Sequence, residues 1–132
     1  MMKFLGRAEK ILLPELEIIV SAKVDTGAFS NSLHVDKIEL KDDALIFSIN
    51  DKTFKFTKYK ILEVKNSFGE KQKRFLIFTK AKIGESVYKV YISLTNRKTM
   101  KYPMLIGRRF LYKFGYVVDV TKKNIYDRDK KV

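Results

Sequence analysis

Arg74-Phe75-Leu76-Ile77-Phe78-Thr79-Lys80-Ala81-Lys82-Ile83, then Gly84-Glu85, then Val87-Tyr88-Lys89-Val90-Tyr91-Ile92-Ser93-Leu94 reads as two strands divided by a turn. β-Branched and aromatic side chains dominate both runs, and they suit the pleated, half-buried surface of a sheet. In the second run Tyr88, Val90, Ile92 and Leu94 share one face while Lys89 and Ser93 take the other, which predicts a half-exposed strand. The same composition recurs at residues 17–24, 35–40, 44–49, 53–57, 61–65 and 116–120. Between these runs fall Asp42-Asp43, Asn50-Asp51, Asn66 to Gly69 and Gly84-Glu85, residue types that tolerate tight turn angles, so hairpins are the simplest connections. The pattern implies an all-β chain. Its one helical stretch follows Gly107, where Arg108–Phe114 places Phe110, Leu111 and Phe114 on one side before Gly115 ends it.

A length of 132 residues fits one domain, read here as residues 1–132. Hydrophobic residues make up 45% of the chain, ten Phe and seven Tyr among them, enough for a packed interior despite 33% charged residues. With no Cys there is no disulfide framework, thiolate nucleophile or thiolate metal site, and the composition fits a reducing compartment. No run approaches the roughly 18 apolar residues of a membrane span. The first 25 residues carry acidic groups and no signal-like apolar stretch. The expectation is a cytoplasmic protein, neither membrane-embedded nor exported.

Charge is distributed unevenly. The net value of +13 comes from 28 basic and 15 acidic residues, yet residues 1–50 hold six basic and eight acidic ones. Residues 51–132 hold 22 and seven, a net +15, and from Ser86 to Val118 there are seven basic residues and no acidic one. One surface is therefore expected to be strongly basic, with a polyanion as its natural partner: nucleic acid, an anionic membrane surface or an acidic polypeptide. A lysine-rich surface that serves only solubility has the same composition.

Several chemistries lack their residues. A nucleophilic triad needs an imidazole beside Ser or Cys, and the only imidazole, His34, is accompanied by no nucleophile-elbow glycine pattern. Zinc needs three or four good ligands, and the chain has no second His, no Cys and no His-Glu-x-x-His helix, so neither a metal nor any other cofactor is expected. His34 reads as an ordinary polar residue beside a strand. The glycines are isolated and no Gly-Lys-Ser or Gly-Lys-Thr occurs, which excludes a P-loop. What remains is Ala22-Lys23-Val24-Asp25-Thr26-Gly27-Ala28, in which a strand delivers a carboxylate onto a turn beside a hydroxyl. Downstream stands Pro103-Met104-Leu105-Ile106-Gly107-Arg108, apolar residues followed by Gly and Arg.

Together these two segments resemble the Asp-Thr-Gly turn of aspartic proteases and the hydrophobic-hydrophobic-Gly segment that crosses behind it in retropepsins. The resemblance extends to the bacterial and archaeal family of small retropepsin-like aspartic proteases that carry the label ATP-dependent zinc protease. It rests also on Leu12-Leu13-Pro14-Glu15-Leu16, Ser32-Leu33-His34, Glu63 to Glu70 and Leu94-Thr95-Asn96-Arg97. The zinc and ATP of that label find no ligand set or nucleotide motif here, and Phe29 stands where relatives often have Arg or Lys. The resemblance implies a small closed β-barrel with one short helix after Gly107. It further implies Asp25 as the catalytic carboxyl, Thr26, Gly27 and Ala28 as support of its turn, and Leu105, Ile106, Gly107 and Arg108 as the segment behind. Two carboxyls sharing a proton are what acid-base hydrolysis of an amide requires. One Asp-Thr-Gly per chain then implies a two-fold homodimer, and the Asn66, Ser67, Phe68 and Gly69 hairpin takes the place of a flap over the substrate.

The expected function is an aspartic endopeptidase acting on polypeptides. Family members often occur beside a ligase that adds glutamates to a ribosomal protein, so acidic, glutamate-rich tails are the substrate the resemblance suggests. A competing class is a basic β-barrel that binds nucleic acid or acidic peptides without catalysis. Phe54-Lys55-Phe56, Tyr59-Lys60 and Tyr88-Lys89-Val90-Tyr91 interleave rings and cations as base-stacking surfaces do. Any half-buried strand with its rings inward and its lysines solvated looks the same. A third class keeps the retropepsin fold, without cleavage, for dimerisation or peptide binding.

Overall fold

The structure, a computed structural model, describes residues 2–97 and 99–127. Its strands are β1 (Lys3–Gly6), β2 (Ala8–Leu13), β3 (Ile18–Val24), β4 (Ser32–His34), β5 (Lys37–Lys41), β6 (Ala44–Ile49), β7 (Lys52–Phe56), β8 (Tyr59–Lys65), β9 (Lys71–Ile83), β10 (Ser86–Thr95), β11 (Met104–Ile106) and β12 (Tyr116–Asp119). The helix α1 (Arg108–Phe114) lies between the last two. The predicted hairpin from residue 74 to residue 94 dominates, with β9 and β10 paired antiparallel from Ile83↔Ser86 to Phe75↔Leu94. Around it six strands close into a barrel in the order β10, β4, β11, β3, β2, β9 and back to β10, and β8 extends the sheet outward from β9. The closed all-β barrel with one short helix is thus as the sequence implies. No helix among the described residues is long and apolar enough to cross a membrane.

Alternation fills the barrel. Ile77 and Ile83 of β9, Ile92 of β10, Leu33 of β4, Met104 of β11, Ala22 of β3 and Ile11 of β2 are all buried and meet in one core. Strands β5, β6 and β7 form a separate meander whose turns carry positive φ at Asp42, Asp43, Asn50 and Asp51. Two-residue turns of that hand match the twist of the strands they join, which is why short polar side chains stand there. The meander packs through Phe47, which stacks 5.4 Å from Phe54 and tilts 5.6 Å from Phe56. Those two rings therefore face the core. Tyr88 does the same, within a cluster of Phe110, Phe114 and Tyr116, so most rings of the ring-and-lysine runs serve packing rather than an open stacking surface.

Two expectations need correction. Ser93 does not lie on an exposed face: it is buried, because β4 pairs alongside it and its N–H donates to the Asn31 carbonyl at 3.0 Å. The strands β1, β2, β4 and β11 stand where composition indicated none. Three of them have four residues or fewer, too short for a periodic signal, and β2 carries a fully buried Glu9 on its inward face.

Glu9 explains how the described C-terminal segment is fastened. Its carboxyl accepts the Gly6 N–H at 2.7 Å and the Tyr126 N–H at 3.3 Å. Beside it the Arg7 N–H donates to the Lys122 carbonyl at 2.8 Å, the Asn124 N–H to the Ala8 carbonyl at 2.8 Å, and Lys10 pairs with Asp127 at 3.0 Å. Residues 122–127 are a strap across β1 and β2. Glu9→Ala orphans two donors, and the expected loss of stability is about 2–6 kcal/mol, from about 1–3 for each unsatisfied buried group; urea unfolding measures it. The Tyr116 hydroxyl, hydrogen-bonded to Tyr88, is held well above the usual tyrosine pKa, first by burial and next by that bond. The folded state therefore keeps a proton that the unfolded chain loses, so stability is full below about pH 10 and falls as pH rises above it. Tyr116→Phe should flatten this alkaline decline in a series of thermal melts.

Candidate active site

Strand β3 ends at Val24, and Asp25 stands at the first position beyond it. The placement is fixed from behind. β11 runs parallel to β3 in the register Met104↔Ala22, Leu105↔Lys23 and Ile106↔Val24, and the Asp25 N–H continues that ladder by donating to the Ile106 carbonyl at 2.9 Å. The chain then turns on its own carboxyl: Asp25 Oδ1 accepts the Gly27 N–H at 2.9 Å, and the Asp25 carbonyl accepts the Ala28 N–H at 3.2 Å. This Asx turn leaves Asp25 half-buried and Thr26 and Gly27 exposed. A Cβ at Gly27 would stand 3.2 Å from that same Oδ1, which is why the smallest residue fits.

The loop after the turn caps α1. A helix leaves its first N–H groups without partners inside the helix, and Gly107 at the N-cap has no side chain to serve them. Backbone carbonyls do so instead: Ala28 accepts from the Arg108 N–H at 2.8 Å and Phe29 from the Arg109 N–H at 3.1 Å. The Arg108 guanidinium reaches back to the Gly27 carbonyl at 3.4 Å and lies 5.4 Å from the Phe29 ring. Of the residues singled out from the sequence, Asp25, Gly27, Ala28, Ile106, Gly107 and Arg108 are thereby joined, while Leu105 pairs with both Lys23 and Ser32. Asn66, Ser67, Phe68 and Gly69 lie elsewhere, at the tip of the β8–β9 hairpin. There Asn66 Oδ1 accepts from the N–H groups of Phe68 and Glu70, and Gly69 adopts a φ of 80°. No hydrogen bond joins that tip to the Asp25 turn among the described residues.

One residue that the sequence did not point to holds the assembly together. Asn31 is buried; its Oδ1 accepts the Gly107 N–H at 3.0 Å and its Nδ2 donates to the Tyr91 carbonyl at 3.2 Å. The loop, β10 and the start of α1 are thus tied by one amide. A Ser-Asn-Ser run reads as a solvated loop, and only the spatial neighbours reveal that its middle residue is enclosed. His34 has a comparable duty at a different place: its Nδ1 accepts the Arg97 N–H at 2.8 Å and its Nε2 lies 2.8 Å from Asp36. Both ring nitrogens are engaged, and no group of three His, Cys, Asp or Glu that could hold a metal occurs among the described residues. The donor set does not fit the zinc of the family label.

Asn31→Leu orphans the Gly107 N–H and the Tyr91 carbonyl and should cost about 2–6 kcal/mol, about 1–3 for each group. Gly107→Ala should be at least as damaging, because the new Cβ would stand 2.7 Å from the backbone of Ser30. The check is the urea midpoint of both variants at unchanged slope.

Known proteins are similar to this chain in sequence and fold. The family described as "Retropepsin-like aspartic endopeptidase RimB" matches residues 4–129. A crystal structure of a protein of unknown function from Legionella pneumophila subsp. pneumophila strain Philadelphia 1 superposes with a TM-score of 0.77 at 30% identity, covering 95% of this chain and 98% of that one. Among curated proteins, one from Desulfotalea psychrophila is 29% identical over 119 residues, and one from Parasynechococcus marenigrum is 33% identical over 116. Both are described as "Probable alpha-L-glutamate ligase"; the matches cover 80% and 78% of this chain but 26% and 25% of those proteins. This chain therefore spans about a quarter of the length of the curated relatives it matches. With a closed barrel, an Asp-Thr-Gly turn backed by the β11 crossing, and a family match over almost its whole length, the chain belongs to the RimB-like family of retropepsin-like aspartic endopeptidases.

Proposed function

We propose that this chain is an aspartic endopeptidase that works as a homodimer on acidic polypeptides, with residues 1–132 acting as a single domain in the cytoplasm. The observation that carries the reading is the Asp25 carboxyl, presented on a solvent-facing turn and braced from behind by the Ile106 carbonyl and the first turn of α1. A carboxyl held in this way has a defined direction, which general acid-base chemistry needs.

Each chain contributes one such carboxyl, and a two-fold axis through the turns would set Asp25 beside the partner's Asp25. Like charges at that distance cannot both ionise, so the pair holds one proton. The ionised member removes a proton from water as its oxygen attacks the scissile carbonyl carbon. The protonated member donates to the carbonyl oxygen, giving a neutral tetrahedral diol. Proton return to the nitrogen then breaks the carbon–nitrogen bond and releases an acid and an amine. Thr26 braces the paired turns through its hydroxyl, and Gly27 and Ala28 shape the loop. Leu105, Ile106, Gly107 and Arg108 fix its back. The hairpin tip at Asn66 to Gly69, with Phe68 85% exposed, serves as a flap that excludes water.

The acidic substrate is supported by the net +15 over residues 51–132 and by the relatives named as glutamate ligases, proteins in which a related segment occupies a quarter of a longer chain. A reaction that lengthens a chain with glutamates makes the kind of tail a basic peptidase would attract. A non-catalytic basic barrel gains less support, since Phe54, Phe56 and Tyr88 are committed to packing.

Asp25→Asn should abolish cleavage of a glutamate-rich peptide while leaving the circular dichroism spectrum and the sedimentation coefficient unchanged. Specific activity of the wild type should fall on dilution through the dimer constant. Undiminished cleavage by Asp25→Asn, or a fully active monomer by light scattering, would refute the reading.

A further inference from the structure

Between the outer face of β8–β9–β10 and helix α1 runs a groove of about 260 Å³. It begins at Ser30 and Asn31, on the loop that continues from the Asp25 turn, and its rim carries Lys60, Lys89, Arg109 and Lys113. Among the described residues none of these four cations forms an ion pair with a carboxylate. The registers show why no acid intervenes: Lys60 pairs with Leu76, Phe78 with Tyr91, and Lys80 with Lys89, so the groove face of the sheet presents bases and apolar groups in alternation, while Glu63 falls on the opposite face of β8.

The floor is apolar. Leu62 is 45% exposed and Tyr91 40%, with Leu76, Phe78 and Phe114 half-buried beside them. Tyr91 is a rigid part of this floor: its ring lies 4.8 Å from Phe78, the Lys60 ammonium sits 4.5 Å over it, and its carbonyl is held by Asn31. A basic rim over an apolar floor is complementary neither to a purely charged chain, which would leave the floor wet, nor to a neutral one, which would leave four cations unpaired. It fits a ligand carrying both features.

We propose that this groove is the recognition subsite of the peptidase and that it takes an acidic segment bearing one large apolar side chain. The apolar residue seats on Leu62, Phe78 and Tyr91, and carboxylates on either side meet Lys60 and Lys89 across the sheet and Arg109 and Lys113 on the helix. The subsite deepens the endopeptidase reading: charge attracts an acidic tail, and the apolar anchor selects where along it the chain is held. A run of glutamates alone would be drawn to the surface without being fixed in register.

The test is binding, measured on the full-length Asp25→Asn chain so that no probe is consumed, by fluorescence anisotropy with three labelled peptides of equal length. One has a single Phe among glutamates, one has glutamates only, and one has the Phe among serines. The first should bind about tenfold or more tightly than either other, the scale expected for burying one large apolar side chain. Lys89→Glu combined with Arg109→Glu should weaken the first peptide by about tenfold or more. Leu62→Asn, a change at an exposed site, should bring the first two peptides to equal affinity. Equal affinity of those peptides for the unaltered groove, indifference to the charge reversal, or displacement of the Phe-containing peptide by a stoichiometric single-stranded oligonucleotide would each overturn the proposal. Wild-type cleavage of the glutamate peptides is scored separately. Selective binding without cleavage removes the peptidase reading and keeps the subsite; cleavage without selective binding does the reverse.

Discussion

At Gly107 the backbone leaving β11 lies so close to Ser30 that an added Cβ would stand 2.7 Å from the nitrogen, carbon and oxygen of that residue. Much of the candidate site depends on this approach. Because no side chain intervenes, the loop of residues 25–31 can lie directly against the start of α1, and its carbonyls at Ala28 and Phe29 serve the helix N–H groups that would otherwise lack partners. The same proximity lets Asn31 bridge Gly107 to β10. Turn, crossing strand and helix thus form one hydrogen-bonded unit, and the direction of the Asp25 carboxyl is set by backbone geometry.

The charge of the molecule follows a related division of labour. Many of its carboxylates are engaged in holding backbone. Glu9 binds Gly6 and Tyr126, Glu15 accepts from the Thr79 hydroxyl and the Lys80 N–H, and Asp36 accepts from the Asn50 N–H. Asp119 accepts both the hydroxyl and the N–H of Thr121, bonds that hold its pKa below the usual carboxylate value. Asp42, Asp43 and Asp51 occupy left-handed turn positions. Among the described residues none of these carboxylates pairs with Lys60, Lys89, Arg109 or Lys113, and the groove face is left basic. Its field is a consequence of where the acids are needed as much as of how many lysines there are.

How much of this was legible in the sequence depended on the range of the interaction concerned. The long strands and the α1 helix stood out because their alternation or their i, i+4 spacing is local, and the turns at Asp42-Asp43 and Asn50-Asp51 because the residue types that accept positive φ are few. The crossing behind Asp25 was accessible through the Met104 to Arg108 segment and its resemblance to retropepsins, although β11 itself is three residues long and carries no period. Asn31 was passed over and Ser93 was placed on the wrong face for one common reason. Both are small polar residues enclosed by partners distant in sequence, Asn31 by Gly107 and Tyr91 and Ser93 by Ser32. Nothing in a linear pattern marks a polar group whose partners are supplied only by the fold. The basic groove was half visible: the missing acids between Ser86 and Val118 were countable, but its apolar floor needs β8, β9, β10 and α1 to be brought together.

Helix α1 ties these themes to one another. Its first N–H groups fasten the loop that bears Asp25, while its two basic side chains Arg109 and Lys113 stand on the rim of the groove and Phe114 in its floor. Arg109 takes part in both, its backbone on the loop and its guanidinium on the rim. At two turns the helix is too short to be stable alone, so it is held by Phe110 and Leu111 in the core and by the carbonyls of the loop that caps it. A peptide that seats on Arg109 and Lys113 therefore bears on the same small element that positions the Asp25 turn. In the proposed arrangement recognition and chemistry are coupled through α1: a substitution that reshapes the groove through the helix should also loosen the carboxyl, whereas one in β8, such as at Leu62, should act on the groove alone.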